Sequence, residues 1–167
     1  MDRNVTDRWI ALYVENEVGV LAMVSGLFSG KSYNLRSLTV GTTERDDISR
    51  MTIEVGSDDI TFEQIKKQLN TMVEVIKVID LTEVKMHMNE IMYAVIPGID
   101  TDKKSEVFRI AQVFHLKPID IDEHTVMLLS SLAPDKNDDL VKLLKRTFHR
   151  IEITRGGAVA VESLNNK

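Results

Sequence analysis

The residues best suited to chemistry lie in one short loop, residues 15–21, where a strand gives way to a helix. Asn16 carries an amide that can cap a helix or hydrogen-bond a ligand, and Gly19 permits close approach of the backbone. The side chains of Val18 and Leu21 can line an aliphatic pocket. Backbone N–H groups at a helix start have no partner within the helix and attract carboxylates. The loop therefore suits a small zwitterion, although a plain helix cap and turn would use the same residues.

The rest of the chain offers no catalytic set. The sequence has no nucleophile elbow, no phosphate-binding loop and no dinucleotide fingerprint. Its four histidines fall in different predicted elements without metal-ligand spacing, and adjacent acids such as Asp58-Asp59 fit helix starts or solvated turns. We therefore expect neither catalytic nor metal-binding residues. The carboxylate-binding site predicted in the loop is expected to be regulatory.

The composition is that of an ordinary globular protein. Of the 167 residues, 43% are hydrophobic and 28% charged, which fits one domain or two small ones. The net charge of -5 argues against a nucleic-acid surface, which needs concentrated Lys and Arg. The sequence has no cysteine, no apolar run near the ~20 residues that span a bilayer, and no signal-peptide core. We therefore expect a cytoplasmic protein that binds neither nucleic acid nor membranes.

Hydrophobic periodicity predicts the order strand, helix, strand, strand, helix, strand in the first half. The predicted strands are residues 8–14, 35–41, 48–55 and 74–80. A first helix spans residues 19–29, and a second begins near Thr61, where a Gln three residues later completes a capping-box pattern. Residues 82–89 lack periodicity and are predicted to be a linker.

The second half repeats this order without repeating the residues. The predicted strands are residues 91–96, 116–121, 125–131, 151–154 and 158–161, the last two joined by a tight turn at Gly156-Gly157. Two helices separate them, the second after Pro134. The predicted fold is α+β, with two ferredoxin-like βαββαβ units at residues 1–81 and 90–167, each an antiparallel sheet with its helices on one face. Such sheets leave edges open, so pairing with another copy is expected.

The loop sequence Glu15-Asn16-Glu17-Val18-Gly19-Val20-Leu21 resembles the ligand loop of ACT domains. Longer runs narrow the resemblance to the regulatory small subunit of acetolactate synthase: Gly26-Leu27-Phe28-Ser29, Tyr33-Asn34-Leu35-Arg36-Ser37-Leu38-Thr39-Val40-Gly41, Ser49-Arg50-Met51-Thr52-Ile53 and Glu63-Gln64-Ile65-Lys66-Lys67-Gln68-Leu69-Asn70. The resemblance is strong through about residue 81 and looser, through residues 106–109 and 155–157, to the end.

In this family the small subunit has no active centre. The resemblance implies that the chain binds the catalytic large subunit of acetolactate synthase, activates it and confers feedback inhibition by valine or a related branched-chain amino acid. The thiamine diphosphate, Mg and FAD sites would belong to that other chain, so no cofactor is expected on this one. The family's N-terminal ACT domains pair side by side as a homodimer with the amino acid between them. The implied effector-binding residues are Asn16, Val18, Gly19, Val20 and Leu21 of one subunit with Asn34 and Leu35 of its neighbour.

Two positions depart from the family's pattern. Lys31-Ser32 stand where Arg-Gly is usual, and a Ser at a turn with positive φ costs about 1 kcal/mol relative to Gly. Gly156 stands where Ser or Thr is common and touches no predicted ligand.

Two other classes of protein remain open. One is a stand-alone ACT-type amino-acid sensor that regulates a different enzyme or a transcription factor, although the sequence shows no helix-turn-helix and no basic arm. The other is a stand-alone enzyme, for which the catalytic residues are missing. The role of the second half is open between partner contacts and a second effector surface.

Overall fold

Two βαββαβ units follow one another along the chain, as the hydrophobic periodicity predicts. The structure is a computed structural model that describes residues 5–164. The elements are β1 (Thr6–Glu15), α1 (Val20–Gly30), β2 (Asn34–Thr42), β3 (Ile48–Ser57), α2 (Asp59–Asn70), β4 (Val75–Asp80), β5 (Met86–Pro97), α3 (Thr101–Val113), β6 (Lys117–Ile121), β7 (Thr125–Leu132), α4 (Pro134–Thr147) and β8 (Glu152–Glu162). Among these residues, one compact unit contains residues 5–87 and 160–164, and the other is Met88–Val159. β5 begins at Met86, so part of the stretch predicted to be a linker is strand.

The first unit is a four-stranded antiparallel sheet in the order β2-β3-β1-β4. Alternate residues of the central strand, Ile10, Leu12 and Val14, are fully buried, which confirms the predicted apolar face. They pack with buried side chains of the two helices: Val20, Val24 and Phe28 of α1, and Phe62, Ile65 and Leu69 of α2. Burying each such side chain contributes roughly 1.5–3 kcal/mol, so this face decides which way the helices lie.

The capping residue of α2 is Asp58, and the prediction that the helix begins near Thr61 is wrong. The Asp58 carboxylate accepts a hydrogen bond from the Thr61 N–H at 2.8 Å, and the helix begins at Asp59. Asp is a stronger N-cap than Thr, and a second acid in the first turn suits the helix dipole. The Asp58-Asp59 pair therefore marks the start of the helix. A helix start was one of the two places predicted for such acid pairs, the other being a solvated turn.

The second unit has the equivalent strand order, β6-β7-β5-β8. Its core contains Met92, Ala94 and Ile96 of β5 with buried residues of α3 and α4. The predicted turn at Gly156-Gly157 is wrong, because β8 runs unbroken through both glycines. Gly157 keeps a positive φ of 80° inside the strand, and a Cβ at Gly156 would lie 3.4 Å from the Ile91 carbonyl oxygen. The glycines mark an irregular strand beside β5, which a local pattern cannot distinguish from a turn.

A buried polar cluster joins four elements of the second unit. Glu90, only 5% exposed, accepts hydrogen bonds from Arg155 at 2.6 Å and from the Asn137 amide at 3.0 Å. Asn137 in turn accepts a bond from the Ser130 hydroxyl at 2.6 Å. The bonds to Glu90 and a further one to Asp138 raise the pKa of Arg155 above its ordinary value. The cluster ties β8 and α4 to β5.

Among the helices of residues 5–164, none combines the length and apolar character that a membrane crossing requires. Within the same residues, no three or more His, Asp or Glu side chains come together as a group that could hold a metal ion.

Candidate effector-binding site

The loop after β1 leads into α1, and no side chain caps the start of this helix. Gly19 is the N-cap residue of α1 and adopts the left-handed conformation, with φ 96°. No side chain caps the helix, and its first turn carries no acidic residue. The Val20 N–H reaches the Glu17 carbonyl only at 3.4 Å. No side chain therefore hydrogen-bonds the N–H groups at this helix start, which leaves them suited to a carboxylate.

Asn16 does not cap the helix but ties the loop to the turn between β2 and β3. Its amide donates to the Asp46 carbonyl at 2.8 Å, and its side-chain oxygen accepts from the Ser49 hydroxyl at 3.0 Å. The Asn16 N–H also donates to the Asp47 carbonyl at 2.8 Å. Of the two predicted roles, helix capping is therefore wrong. A side-chain amide has two N–H donors, so one remains for a ligand.

Asp46 and Ser49 were missed by sequence reasoning. They lie about 30 residues after Asn16, and only the register of β1 on β3 brings them to it. No local pattern in the sequence could have pointed to them.

The aliphatic side chains of the loop divide between surface and core. Val18 is fully exposed and Leu21 is 45% exposed, so both are free to line an apolar wall. Val20 is only 3% exposed, because its side chain packs into the core of the first unit. Val20 can therefore contribute its backbone N–H to a ligand but not its side chain.

Asn34 and Leu35 begin β2 at the opposite end of the same sheet. In the strand register, Glu15 lies opposite Ile48 of β3, whereas Asn34 lies opposite Gly56. At about 3.4 Å per residue, those two points of β3 are about 27 Å apart. Asn34 is exposed, and Leu35 packs partly buried against the core. Within one chain, Asn34 and Leu35 therefore do not meet the loop.

The turn that leads from α1 to Asn34 contains Ser32 in the left-handed conformation, with φ 56°. The Ser32 N–H donates to the Ser29 carbonyl at 3.2 Å, and the Tyr33 N–H donates to the Phe28 carbonyl at 2.9 Å. The Tyr33 and Phe28 rings meet edge to face at 6.3 Å. This pattern is a Schellman motif, in which Gly is the usual left-handed residue. Ser32 therefore occupies a strained position two residues before the predicted ligand residue Asn34.

Comparison with known proteins covers both units. The family model described as the AHAS small subunit-like ACT domain matches residues 10–77, and the one described as the small subunit of acetolactate synthase matches residues 89–164. A probable acetolactate synthase small subunit of Archaeoglobus fulgidus is 39% identical over 158 residues, which cover 95% of this chain and 98% of the relative. The acetolactate synthase small subunit of Haemophilus influenzae is 36% identical, with 92% and 94% covered.

A solved structure agrees with these sequence relatives. The crystal structure of an acetolactate synthase small subunit from Thermotoga maritima superposes with a TM-score of 0.85 at 32% identity, covering 96% of this chain and 99% of that one. The family models, the relatives and the shared fold lead to one conclusion: the chain belongs to the acetolactate synthase small-subunit family.

Proposed function

We propose that the chain is a regulatory subunit that binds the thiamine-diphosphate-dependent catalytic subunit of acetolactate synthase, raises its activity and makes it sensitive to valine or a related branched-chain amino acid. The Mg and FAD of the holoenzyme then also belong to the catalytic subunit. The observation that best supports this effector site is the distance between its two halves. The loop after β1 and Asn34 lie about 27 Å apart along β3 within one chain. Such a site is complete only when a second copy supplies the missing half.

The edge position of β2 supports this pairing. β2 is the outer strand of its sheet, so one side of its backbone can hydrogen-bond to another chain. Its last residue, Thr42, lies opposite Ser49, which holds Asn16. A two-fold axis that pairs two β2 strands antiparallel therefore brings Asn34 of one subunit to the loop of the other. The homodimer contains two such sites.

The proposed contacts of the effector follow from the chemistry of each group. The carboxylate is bound by the uncapped start of α1, next to Gly19. The ammonium group and the remaining carboxylate oxygen meet Asn16 and the neighbouring subunit's Asn34. The branched side chain packs on Val18 and Leu21, whose exposed apolar area is thereby covered. No bond of the effector is broken, so the subunit needs no catalytic residue.

Regulation in this proposal is a coupling of binding energies. Effector coupling between two sites is typically about 1–3 kcal/mol, or roughly 5- to 150-fold in affinity or population. The effector shifts the catalytic subunit only to the extent that it binds one arrangement of the paired ACT domains better than another. We assign effector binding and pairing to residues 1–81.

The direct test combines the purified chain with the catalytic subunit and follows acetolactate formation with and without valine, leucine and isoleucine. We expect a complex, faster acetolactate formation, and inhibition by at least one of the three amino acids. The catalytic subunit alone serves as the control for effects of the amino acids themselves. No complex and no activation would refute the regulatory role, and amino-acid binding without a complex would indicate a sensor for another protein.

The shared nature of the site has its own test. Gly19→Asp places a side chain and a like charge against the carboxylate, and Asn34→Ala removes the contact from the other subunit, so each variant alone should lose valine binding in calorimetry. In a mixed dimer, however, the intact loop of the Asn34→Ala chain faces the intact Asn34 of the Gly19→Asp chain. Mixing the two variants should therefore restore one site per mixed dimer. A mixture that binds no valine, or a Gly19→Asp variant that binds like the wild type, contradicts the site.

A further inference from the structure

The second unit has a cavity where the first unit has its effector loop. In the first unit this loop joins the first strand to the first helix and lies beside the segment between α2 and β4, because the Glu15 N–H donates to the Glu74 carbonyl at 2.9 Å. In the second unit β5 ends at Pro97 and α3 begins at Thr101. A cavity of about 200 Å³ lies at this junction, between residues 97–99, Lys103 and residues 148–150.

Each of the two junctions contains a glycine with positive φ, but their side chains differ. Gly98 has a positive φ of 69° and lies two residues before Asp100, the N-cap of α3, whereas Gly19 is itself the N-cap of α1. The segment between the second helix and the last strand is Thr71-Met72-Val73-Glu74 in the first unit and Phe148-His149-Arg150-Ile151 in the second. The segment of the first unit contains one acidic residue and no basic one, whereas that of the second contains His149 and Arg150 and no acidic residue.

The side chains around the cavity combine basic groups with an apolar wall. Lys103 is exposed, and no ion pair holds its ammonium group within residues 5–164. Arg150 pairs with Glu152 at 2.7 Å, but both side chains are exposed, and a guanidinium keeps further N–H donors. His149 adds ring nitrogens, and Ile99 and Phe148 supply buried apolar surface. Among the described residues, no acidic side chain lines the cavity.

The acid that caps α3 is already engaged. Asp100 caps α3, and its carboxylate accepts a hydrogen bond from the Lys103 N–H at 2.8 Å. The site therefore does not depend on free N–H groups at the helix start. It depends on the side chains of Lys103, His149 and Arg150, which approach one space from two different segments.

We propose that this cavity binds a small molecule with an oxyanion group, carboxylate or phosphate. Lysine and arginine donate charge-assisted hydrogen bonds to such groups, and a guanidinium can bind one in a bidentate manner. The volume is below the roughly 300–1,000 Å³ of pockets for drug-sized ligands, so the ligand is small. The apolar wall of Ile99 and Phe148 favours an anion that also carries a short aliphatic part.

The test is a titration of the full ¹⁵N-labelled chain by NMR at constant ionic strength, with inorganic phosphate in one arm and isobutyrate in the other. We expect saturable shifts of the Gly98, Ile99 and His149 amides. The anion that binds more tightly shows whether the oxyanion of the ligand is a phosphate or a carboxylate. Because each hydrogen bond to a charged group is worth on the order of tenfold, the double variant Lys103→Gln/Arg150→Gln should bind at least about tenfold more weakly.

A matched control removes the same residue types elsewhere in the unit. Lys136→Gln/Arg109→Gln also deletes one exposed lysine and one arginine that is paired with a nearby glutamate, here Glu106. This variant should keep the wild-type affinity. No saturable shift with either anion, equal weakening in both double variants, or shifts confined to residues 16–21 would overturn the proposal. The readout lies in the second unit, so it does not depend on the outcome for the proposed valine site.

Discussion

Replacing Ser32 by Gly should stabilise the first unit, although it deletes a side chain. Ser32 has φ 56°, where a residue with a Cβ pays about 1–2 kcal/mol and Gly pays almost nothing. The greater freedom of Gly in the unfolded chain takes back about 0.4–1 kcal/mol. The two hydrogen bonds of the Schellman motif are made by backbone atoms and survive the change. The expected net gain is about 0.5–1 kcal/mol.

The only tryptophan of the chain, Trp9, lies in β1 and reports on the first unit during urea denaturation. With a denaturant slope of about 2 kcal/mol/M, the gain moves the midpoint upward by roughly 0.4 M. Ser25→Gly is the matched control, because Ser25 lies inside α1, where Gly costs about 0.5 kcal/mol and the midpoint should fall. If both variants shifted the midpoint in the same direction, the strain at Ser32 would be disproved.

Three further predictions concern stability. His115→Gly should raise the second unit's stability by a similar amount, because His115 has φ 55° at the end of α3, and amide hydrogen exchange of that helix measures it. Burial pushes the pKa of Asp80 upward, but hydrogen bonds, above all from Lys66, outweigh it and hold the pKa below its usual value. The resulting stability is present above about pH 4 and is lost as the pH falls through the folded-state pKa, so Asp80→Asn should lose less stability on acidification in urea denaturation. Arg155→Met should cost about 2 kcal/mol by leaving the buried Glu90 carboxylate unpaired, as measured by circular dichroism during denaturation.

Each of these predictions has a result that would contradict it. Faster exchange in α3 of His115→Gly would mean that the imidazole makes stabilising contacts that outweigh the strain. If Asp80→Asn and the wild type lost the same amount of stability as the pH falls, the protonation of Asp80 would not contribute to acid destabilisation. For the buried cluster, adding Glu90→Gln to Arg155→Met should recover part of the loss, and no recovery would place the cost elsewhere.

Elements with a strong local signal were predictable. Ile10, Leu12 and Val14 alternate along β1 as buried residues must, and Val20, Val24 and Phe28 recur on α1 at helical spacing. Such periodicities depend on neighbours within a few residues, so they predict element type and order without knowledge of the fold. The two βαββαβ units and the loop with Gly19 follow from these local signals.

Elements whose meaning depends on a distant partner were not predictable. Gly156-Gly157 favour a turn when considered alone, yet β5 beside them keeps the chain in one strand. The role of Asn16 is decided by Ser49, which lies 33 residues further along the chain. In both cases the residue types allow more than one local arrangement, and tertiary contacts select one of them.

The candidate site likewise combines features that the sequence predicts with features that only the fold determines. The sequence by itself determined which residues suit an amino acid, because hydrogen-bonding capacity, the freedom of Gly19 and apolar side chains are properties of residue type. Only the tertiary structure decided where they lie: the register of β1 and β2 on β3 places the loop and Asn34 at opposite ends of one sheet. Register is set by long-range packing of the whole apolar face, and so is the need for a second copy to complete the proposed site.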